Sequence, residues 1–508
     1  ETLVLLDGRR LAPANTGEGY IGQANVSGIP LDSIERIEVL ASSASSIYGA
    51  HATGGVINII RKRDYEGLQA TVQYGNAVHG DAPERQFGLS GGGNFNEGRT
   101  QVSFVASRRE AVPLLLGERR YLQRYRAFAH ENNPDYYREL TSPPLGATPN
   151  IRSVDGMPLT FDDGTPLGSH FTHVPDGYRG FATDGIGGLL ANAGTYNIEY
   201  GQTSLRGTLE PLTNKAVNQS ATASARNEVA PALTLYVEAA AGEENWQSAT
   251  NTLPSAYVLP GNASSNPFRQ SILIAVPNIG ADVANTTRFD SWRGVLGAIV
   301  SLPQGWEMVF DWTRSRSRYS DELGAPHDLA TTNGMRNGAF DVLRDMRLAP
   351  IPYGYVNAVK ASVATGPADA SNLTASLRLA GKLPIGTRAG EPAVTLLLER
   401  ADDRLDTAVS TANSATSSLV EFTPERSRVT QSAYAEVMLP LFNEANARPW
   451  LKELDAQVSS RYDKFTGHGA DVLLNCRRSS GKPLPQEIID LPCPEPDTEI
   501  PRATNVAS

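Results

Sequence analysis

The pentapeptide Gly88-Leu89-Ser90-Gly91-Gly92 has the spacing of a nucleophile elbow, which holds a serine at a strained strand-to-helix turn for acyl transfer. That chemistry needs a helix after the serine. Gly93-Asn94-Phe95 instead continues in a strand-like pattern, so an enzyme is not expected. The 7 histidines are scattered, with no pair at helical metal-ligand spacing, and no phosphate-cradling glycine loop occurs. No catalytic residue, metal site or cofactor is expected. The 2 cysteines, Cys476 and Cys493, stand in one polar stretch. They read as a single disulfide, which needs an oxidising compartment; the alternative is two unpaired thiols in a cytosolic protein. The densest recognition chemistry is a run of arginines and tyrosines: Arg119, Arg120, Tyr121, Arg124, Tyr125, Arg126, Tyr136, Tyr137 and Arg138. Interleaved Arg and Tyr grip anionic, aromatic or sugar-like ligands by bidentate, stacking and hydrogen-bond contacts; an ordinary polar surface loop has the same composition.

The elements that must position these residues are strands. The chain has 508 residues and a net charge of −10, which argues against a nucleic-acid partner. No stretch reaches the length of a membrane-spanning apolar helix, so a membrane-crossing structure here would have to be a closed barrel. From Leu68 onward, 11 alternating segments can be counted, at about 68–75, 86–95, 100–109, 217–227, 233–246, 288–302, 306–319, 372–382, 392–405, 429–441 and 453–465. Each is long enough for a tilted membrane strand. In one of them Met308, Phe310 and Trp312 oppose Glu307, Val309, Asp311 and Thr313; in another Ala433, Ala435 and Val437 oppose Ser432, Tyr434 and Glu436. One apolar and one polar face suits a barrel with lipid outside and a wet lumen.

The connections carry the stronger signal. Turns such as Asn96-Glu97-Gly98 and Pro303-Gln304-Gly305 are short, whereas the stretches 110–216, 247–287, 320–371, 406–428 and 466–508 are long. Short turns at one end and long, extracellular loops at the other are the outer-membrane barrel pattern. Trp246, Trp292, Trp306, Trp312, Tyr319, Phe442, Trp450 and Phe465 sit near segment ends, as interfacial girdles or as ordinary packing at strand termini.

Residues 1–63 differ: dense apolar runs at Leu3–Leu6, Ile34–Leu40 and Val56–Ile60 alternate with turn signals, as in a small mixed α/β unit. Leu3-Val4-Leu5-Leu6-Asp7-Gly8-Arg9-Arg10-Leu11, the stretch Ile29–Leu40, Ser46-Ile47-Tyr48-Gly49 and Gly54-Gly55-Val56-Ile57-Asn58-Ile59-Ile60 resemble, in order, the plug motifs of TonB-dependent receptors. Asn266-Pro267-Phe268 is a weaker likeness. The chain departs from the family pattern at Ala41-Ser42-Ser43, His51 and Arg61-Lys62-Arg63, outside the glycine framework.

The resemblance implies a membrane all-β fold: a partial plug at 1–63 and, at 64–508, about half of an antiparallel transmembrane barrel of ~22 strands. The segment that contacts TonB and the remaining strands are expected to lie outside this sequence. The implied function is active uptake of a scarce nutrient across the bacterial outer membrane. A ferric siderophore is favoured, with oligosaccharide, cobalamin or haem as alternatives, and a passive porin or adhesin barrel as a remote one. A sensor-transporter would carry its signalling domain upstream of residue 1. Implied partners are TonB, the nutrient and outer-membrane lipid, with a monomer as the full-length state. Arg36 is expected to be a plug cation, networked with Glu35 and Glu38 and facing wall acids such as Asp311 and Glu436. Gly8, Gly49, Gly54 and Gly55 are expected to serve tight turns and close backbone approach. Ligand contacts are expected from the plug loop Asn15 to Asn25 and from the Arg- and Tyr-rich loop.

Overall fold

A computed structural model describes residues 2–15, 23–41, 48–49, 52–63, 65–115, 118–138, 140–199, 211–251, 256–277, 282–325, 333–334, 341–348, 361–386, 389–413, 417–469 and 474–479. The first unit is a four-stranded sheet of β1 (Leu3–Leu6), β2 (Arg9–Arg10), β3 (Ile34–Leu40) and β4 (Val56–Arg61), ordered β2-β1-β4-β3. Asp7 and Gly8 join β1 to β2 with φ of 52° and 78°. Two positive φ values in a two-residue loop make a type I′ turn, for which Asp-Gly is among the best-suited sequences. β1 runs parallel to β4, and β3 pairs antiparallel to β4. A single 3-10 turn, Leu31–Ser33, leads into β3. Leu5, Ala52 and Val56 form the small core of this sheet, with Leu3 and Tyr48 packed on it.

The wall is a second sheet. Its main path holds β5 (Gly67–Gly75), β6 (Glu84–Phe95), β7 (Thr100–Ala111), β10 (Lys215–Ala230), β11 (Leu233–Asn251), β14 (Asp282–Ser301), β15 (Glu307–Ala325), β16 (Ala361–Lys382), β17 (Ala393–Leu405), β20 (Arg426–Phe442) and β21 (Leu454–Gly469). Each strand pairs antiparallel with the next along this path. Every alternating segment of the sequence coincides with one of these strands. Several are longer than expected: β14, β15 and β16 have 20, 19 and 22 residues. A tilted membrane strand needs only about 9–11, so these hairpins continue as paired ribbons past the apolar span at the long-loop end. The short strands β18 (Ala408–Asn413), β19 (Ser417–Thr423) and β22 (Leu474–Ser479) extend the sheet there.

The wall is inside out by the standard of a water-soluble protein. Its apolar side chains are exposed, with Leu68 at 73%, Val72 at 74% and Leu398 at 59% relative accessibility. Its polar side chains Ser90, Ser103, Thr313 and Ser432 are buried. Alternation fixes this, because a period of two sends neighbouring residues to opposite faces. An extended apolar face with a polar interior side is a lipid-facing wall.

Among the described residues, the long connections after β7 and β11 are not irregular. The stretches after β7 and β11 fold together into a third sheet, ordered β12-β13-β8-β9, from β8 (Asn150–Ser153), β9 (Phe171–His173), β12 (Ala256–Leu259) and β13 (Ile272–Ala275). Ile151, Leu159, Phe161, Leu259, Phe268 and Ile274 are fully buried in its core, and Val342 and Leu343 join from the connection after β15. Phe161 and Phe268 stack with centroids 4.6 Å apart. Asn266 closes the turn before Phe268: its Nδ2 donates to the carbonyls of Pro260 and Gln270, and its Oδ1 accepts from the Phe268 N–H. Three loops thus share one hydrophobic cap.

Candidate functional site

The plug sheet meets the wall along a seam of ion pairs. The I′ turn at Asp7-Gly8 sends Arg9 back along the sheet edge toward β11 and β15. Arg9 Nη2 lies 2.6 Å and Nε 3.0 Å from Asp311 Oδ1. Nη2 also donates to the Tyr236 hydroxyl at 3.0 Å, and Tyr236 itself donates to Asp311. Glu238, two residues along β11, stands 3.6 Å from Arg9 Nη1. Burial opposes the charge on Arg9; Glu238 and Asp311 outweigh it and raise the guanidinium above its ordinary range.

Arg61, at the end of β4, joins the same cluster from the other side. Its Nε lies 2.6 Å from Asp7 Oδ2 and its Nη2 2.5 Å from Glu238 Oε2, with all three side chains nearly buried. Asp7 also accepts the Arg61 backbone N–H at 2.9 Å. Arg293, buried on β14, donates to the Leu6 carbonyl at 3.2 Å, and its Nε has no partner among the described residues. Asp7, Arg9, Arg61, Tyr236, Glu238 and Asp311 therefore form one continuous charged lattice spanning plug and wall.

Weaker contacts ring it. Arg10 donates to the Tyr48 carbonyl at 2.8 Å and comes within 4.0 Å of Glu399 on β17. Asn15 donates to the carbonyls of Asp369 and Asp406, and Asn25 to Glu244. Gly28 of the plug lies on Gly242 of β11; a Cβ on Gly242 would come within 2.6 Å of the Gly28 Cα. At the lattice, plug and wall line a cavity of about 750 Å³, with Arg9, Arg61, Glu238, Asp311, Glu399 and Glu436 among its walls.

The sequence-based site residues fall unevenly. Asp311 faces the plug, but its cation is Arg9. Arg36 is half-exposed and pairs with its own neighbours, Glu35 at 2.8 Å and Glu38 at 2.9 Å. The expected link from Arg36 to Asp311 and Glu436 is thus corrected, and the reason is sheet order: β3 and β2 are opposite edges, and the β2 edge meets Asp311. Glu436 is bonded within the wall, to Tyr434 and to Gln457 at 2.7 Å. Gly8, Gly49 and Gly55 have φ of 78°, 80° and 106°, and Gly54 sits in the turn beside Gly55. Ser90 lies inside β6, which continues to Phe95 and turns into β7, so no strand-to-helix elbow forms.

In the Arg- and Tyr-rich loop, helix α1 (Tyr121–Asn132) carries exposed Tyr121, Arg124 and Tyr125. Arg119 pairs with Asp81, which tethers α1 to the β5–β6 hairpin; Arg120 is exposed. Tyr136 is exposed and meets buried Tyr137 edge-on at 5.0 Å. Arg126 donates to the Leu145 carbonyl and belongs to the cap. Residues 16–22 of the plug loop and Cys493 lie outside the described residues, as does the side chain of Cys476, so the disulfide is not described. Sequence reasoning missed Asp7, Arg9, Arg61, Tyr236 and Glu238. The available signal was the strand alternation of β11, which places Tyr236, Glu238 and Glu244 on the face opposite Leu235 and Val237.

A β-wall with apolar residues outward, filled by a small sheet held through charge, defines a plugged outer-membrane β-barrel. Residues 1–56 match the family model described as the TonB-dependent receptor plug domain. The iron-regulated outer membrane virulence protein of Vibrio cholerae is 37% identical over 97 residues, 18% of this chain and 15% of that protein. Among solved structures the chain is similar to the pyoverdine outer membrane receptor of Pseudomonas aeruginosa bound to pyoverdine, at 11% identity and a TM-score of 0.48 over 94% of this chain and 51% of that one. It is also similar to the ferric yersiniabactin uptake receptor of Yersinia pestis, at 12% identity and a TM-score of 0.41 over 92% and 52%. The chain thus spans about half the length of these solved relatives. Residues 1–56 are thus similar to a TonB-dependent receptor plug domain, and the wall that follows them has the strand architecture of an outer-membrane barrel.

Proposed function

We propose that this chain serves TonB-dependent uptake of a ferric siderophore, with the plug extending to about Arg63 and the barrel from residue 64. The observation that carries this reading is the composition of the seam. The plug is held by the ion-pair lattice around Arg9, Arg61, Glu238 and Asp311, whereas an oily interface would join it permanently to the wall. Buried ion pairs contribute little net stability because desolvation offsets their attraction. A seam of this kind seats the plug in one geometry and lets a modest pull remodel it.

The ligand side is supported by α1. Tyr121, Arg124, Tyr125 and Phe128 fall at i, i+3, i+4 and i+7, on one exposed helix face. Exposed aromatic stripes mark binding surfaces, and arginine adds affinity for anionic groups. Iron is favoured by the name of the curated relative. Oligosaccharide, cobalamin and haem would use the same mechanism.

Energised uptake tests the proposal. Iron-starved cells producing the protein should accumulate labelled ferric siderophore only while TonB and the proton gradient are intact. Deleting residues 1–63 should make the same cells permeable to bulky antibiotics. Uptake indifferent to TonB, with no leak on plug deletion, would leave a passive porin.

A further inference from the structure

Among the described residues, the outward face of the wall has a place where the apolar pattern is broken by charge beside a groove. Cross-strand register builds it row by row. One row reads Phe310, Leu377, Leu398, Ala433, Tyr462 across β15, β16, β17, β20 and β21. The next row toward the long loops reads Trp312, Ala375, Arg400, Gln431, Lys464. Ala375 and Ala433 are small among large neighbours, and a groove of about 470 Å³ opens over them, walled by Phe310, Leu398 and Tyr462. That volume lies within the range of ligand clefts, about 300–1,000 Å³. Arg400 and Lys464 stand at its upper end with Gln431 between them. Two strand spacings separate the two cations, about 10 Å between Cα atoms, close enough for both long side chains to reach one headgroup. Both are exposed, and neither has an ion-pair partner among the described residues. The nearest outward acid is Asp402, one row higher on β17, opposite Leu373 and Val429.

We propose that this groove binds a membrane lipid with a phosphate headgroup, its acyl chain lying over Ala375 and Ala433 and its phosphate held between Arg400 and Lys464. The occupant follows from the face and the charge. This side of the wall looks into lipid, so the groove can be filled only by an amphiphile already in the membrane. Two cations at one end and an apolar floor at the other match an anionic headgroup above a chain. Simple snorkelling of Arg400 and Lys464 toward the interface would need no groove.

The test uses the protein extracted from outer membranes in detergent and exchanged exhaustively. Phosphorus per chain and native mass spectrometry report the retained lipid. The parent protein should keep a phosphate-bearing lipid that excess inorganic phosphate does not displace. R400Q/K464Q should lose retention by about thirtyfold, the factor that two surface charges supply. A433F, which fills the groove and leaves both charges, should lose it as well. R85Q/R108Q removes two exposed cations from β6 and β7, away from this groove, and should retain the lipid. Equal retention by the parent and R400Q/K464Q overturns the proposal. So does equal loss in R400Q/K464Q and R85Q/R108Q, which would trace the attraction to the charge of the wall as a whole, and so does displacement by inorganic phosphate.

Discussion

Arg9 on the plug and Asp311 on β15 meet through two hydrogen bonds, Nη2 at 2.6 Å and Nε at 3.0 Å from one carboxylate oxygen, and Tyr236 donates to the same carboxylate. The contact crosses 302 positions of sequence and ties the first hairpin of the plug to the middle of the wall. Asp311→Ala leaves Arg9 with Glu238 and removes both bonds. Hydrogen bonds to charged groups contribute about 1.5–3 kcal/mol each way, so the plug edge should loosen by about 2 kcal/mol. Hydrogen exchange checks this: the amides of Leu3–Arg10 should exchange roughly thirtyfold faster while β14 and β16 stay protected. Unchanged exchange at β1 and β2 would show that Tyr236 and Glu238 hold Arg9 without Asp311.

The cap should unfold separately from the wall. Phe268 is fully buried and stacked on Phe161, in a core supplied by three loops. Phe268→Ala should cost about 3–5 kcal/mol, the usual penalty for emptying an aromatic core site. Brief proteolysis should then cut between residues 140 and 280, while the wall keeps the heat-sensitive mobility of a folded barrel in gels. Ligand affinity should fall with it, because α1 is anchored to the cap through Arg126 and the Leu145 carbonyl.

Acid should loosen the same cap where the connection after β15 docks. Asp345 is buried, accepts the Gly177 N–H at 2.9 Å and pairs with Arg347. Burial alone would raise its pKa; the Arg347 and backbone hydrogen bonds win and hold it below the ordinary carboxylate range. A carboxyl depressed in the folded state contributes stability above its unfolded pKa, about 3.9. That contribution is lost as pH falls from there through the lower folded value. Asp341 acts in the opposite sense: burial raises it, so its penalty at neutral pH is relieved on acidification. In Asp345→Ala the acid transition of the cap, followed by pepsin cleavage, should flatten. A transition that keeps its midpoint would assign it elsewhere.

The wall was readable from sequence because each strand needs only its own alternation, and Met308 to Thr313 show their faces without a partner. The cap was not readable, since Ile151, Leu259, Phe268 and Leu343 come from three loops and show no local period. Their signal is proximity, which composition does not record. The plug was recognisable through its glycines and apolar runs, yet its contact with the wall was assigned to Arg36. Charge count favoured that residue; sheet order decided for Arg9, because only the β2 edge faces Asp311. Likewise Glu238 became a site residue only once register placed it beside Arg61.

Close approach of two glycines should matter as much as charge. Gly28 and Gly242 touch backbone to backbone, and a side chain on Gly242 has no space to enter. Gly242→Val should therefore displace the plug from β11, at the ~1–3 kcal/mol typical of overpacking. Cells carrying it should admit bulky antibiotics while Gly294→Val, where a Cβ meets nothing within 4 Å, leaves them tight. Equal permeability of the two would mean that the plug is seated without this contact.

The lattice around Arg61 separates stability from function. Arg61→Ala leaves Asp7 a buried carboxylate without its cation and Glu238 with only the longer contact to Arg9, and breaking such a buried pair costs about 3–5 kcal/mol. Replacing all three with residues that carry no charge, as in Asp7→Asn, Arg61→Met and Glu238→Gln together, removes the desolvation cost along with the attraction and should be near neutral or stabilising. If the plug is released by pulling on a polar seam, the triple variant should resist that pull. The expected result is a plug as protected from hydrogen exchange as the parent's, or more so, with energised uptake reduced. The Arg61→Ala variant should instead show a loosened plug and a leak. Uptake in the triple variant at the parent's rate would show that charge at this seam positions the plug and has no part in opening it.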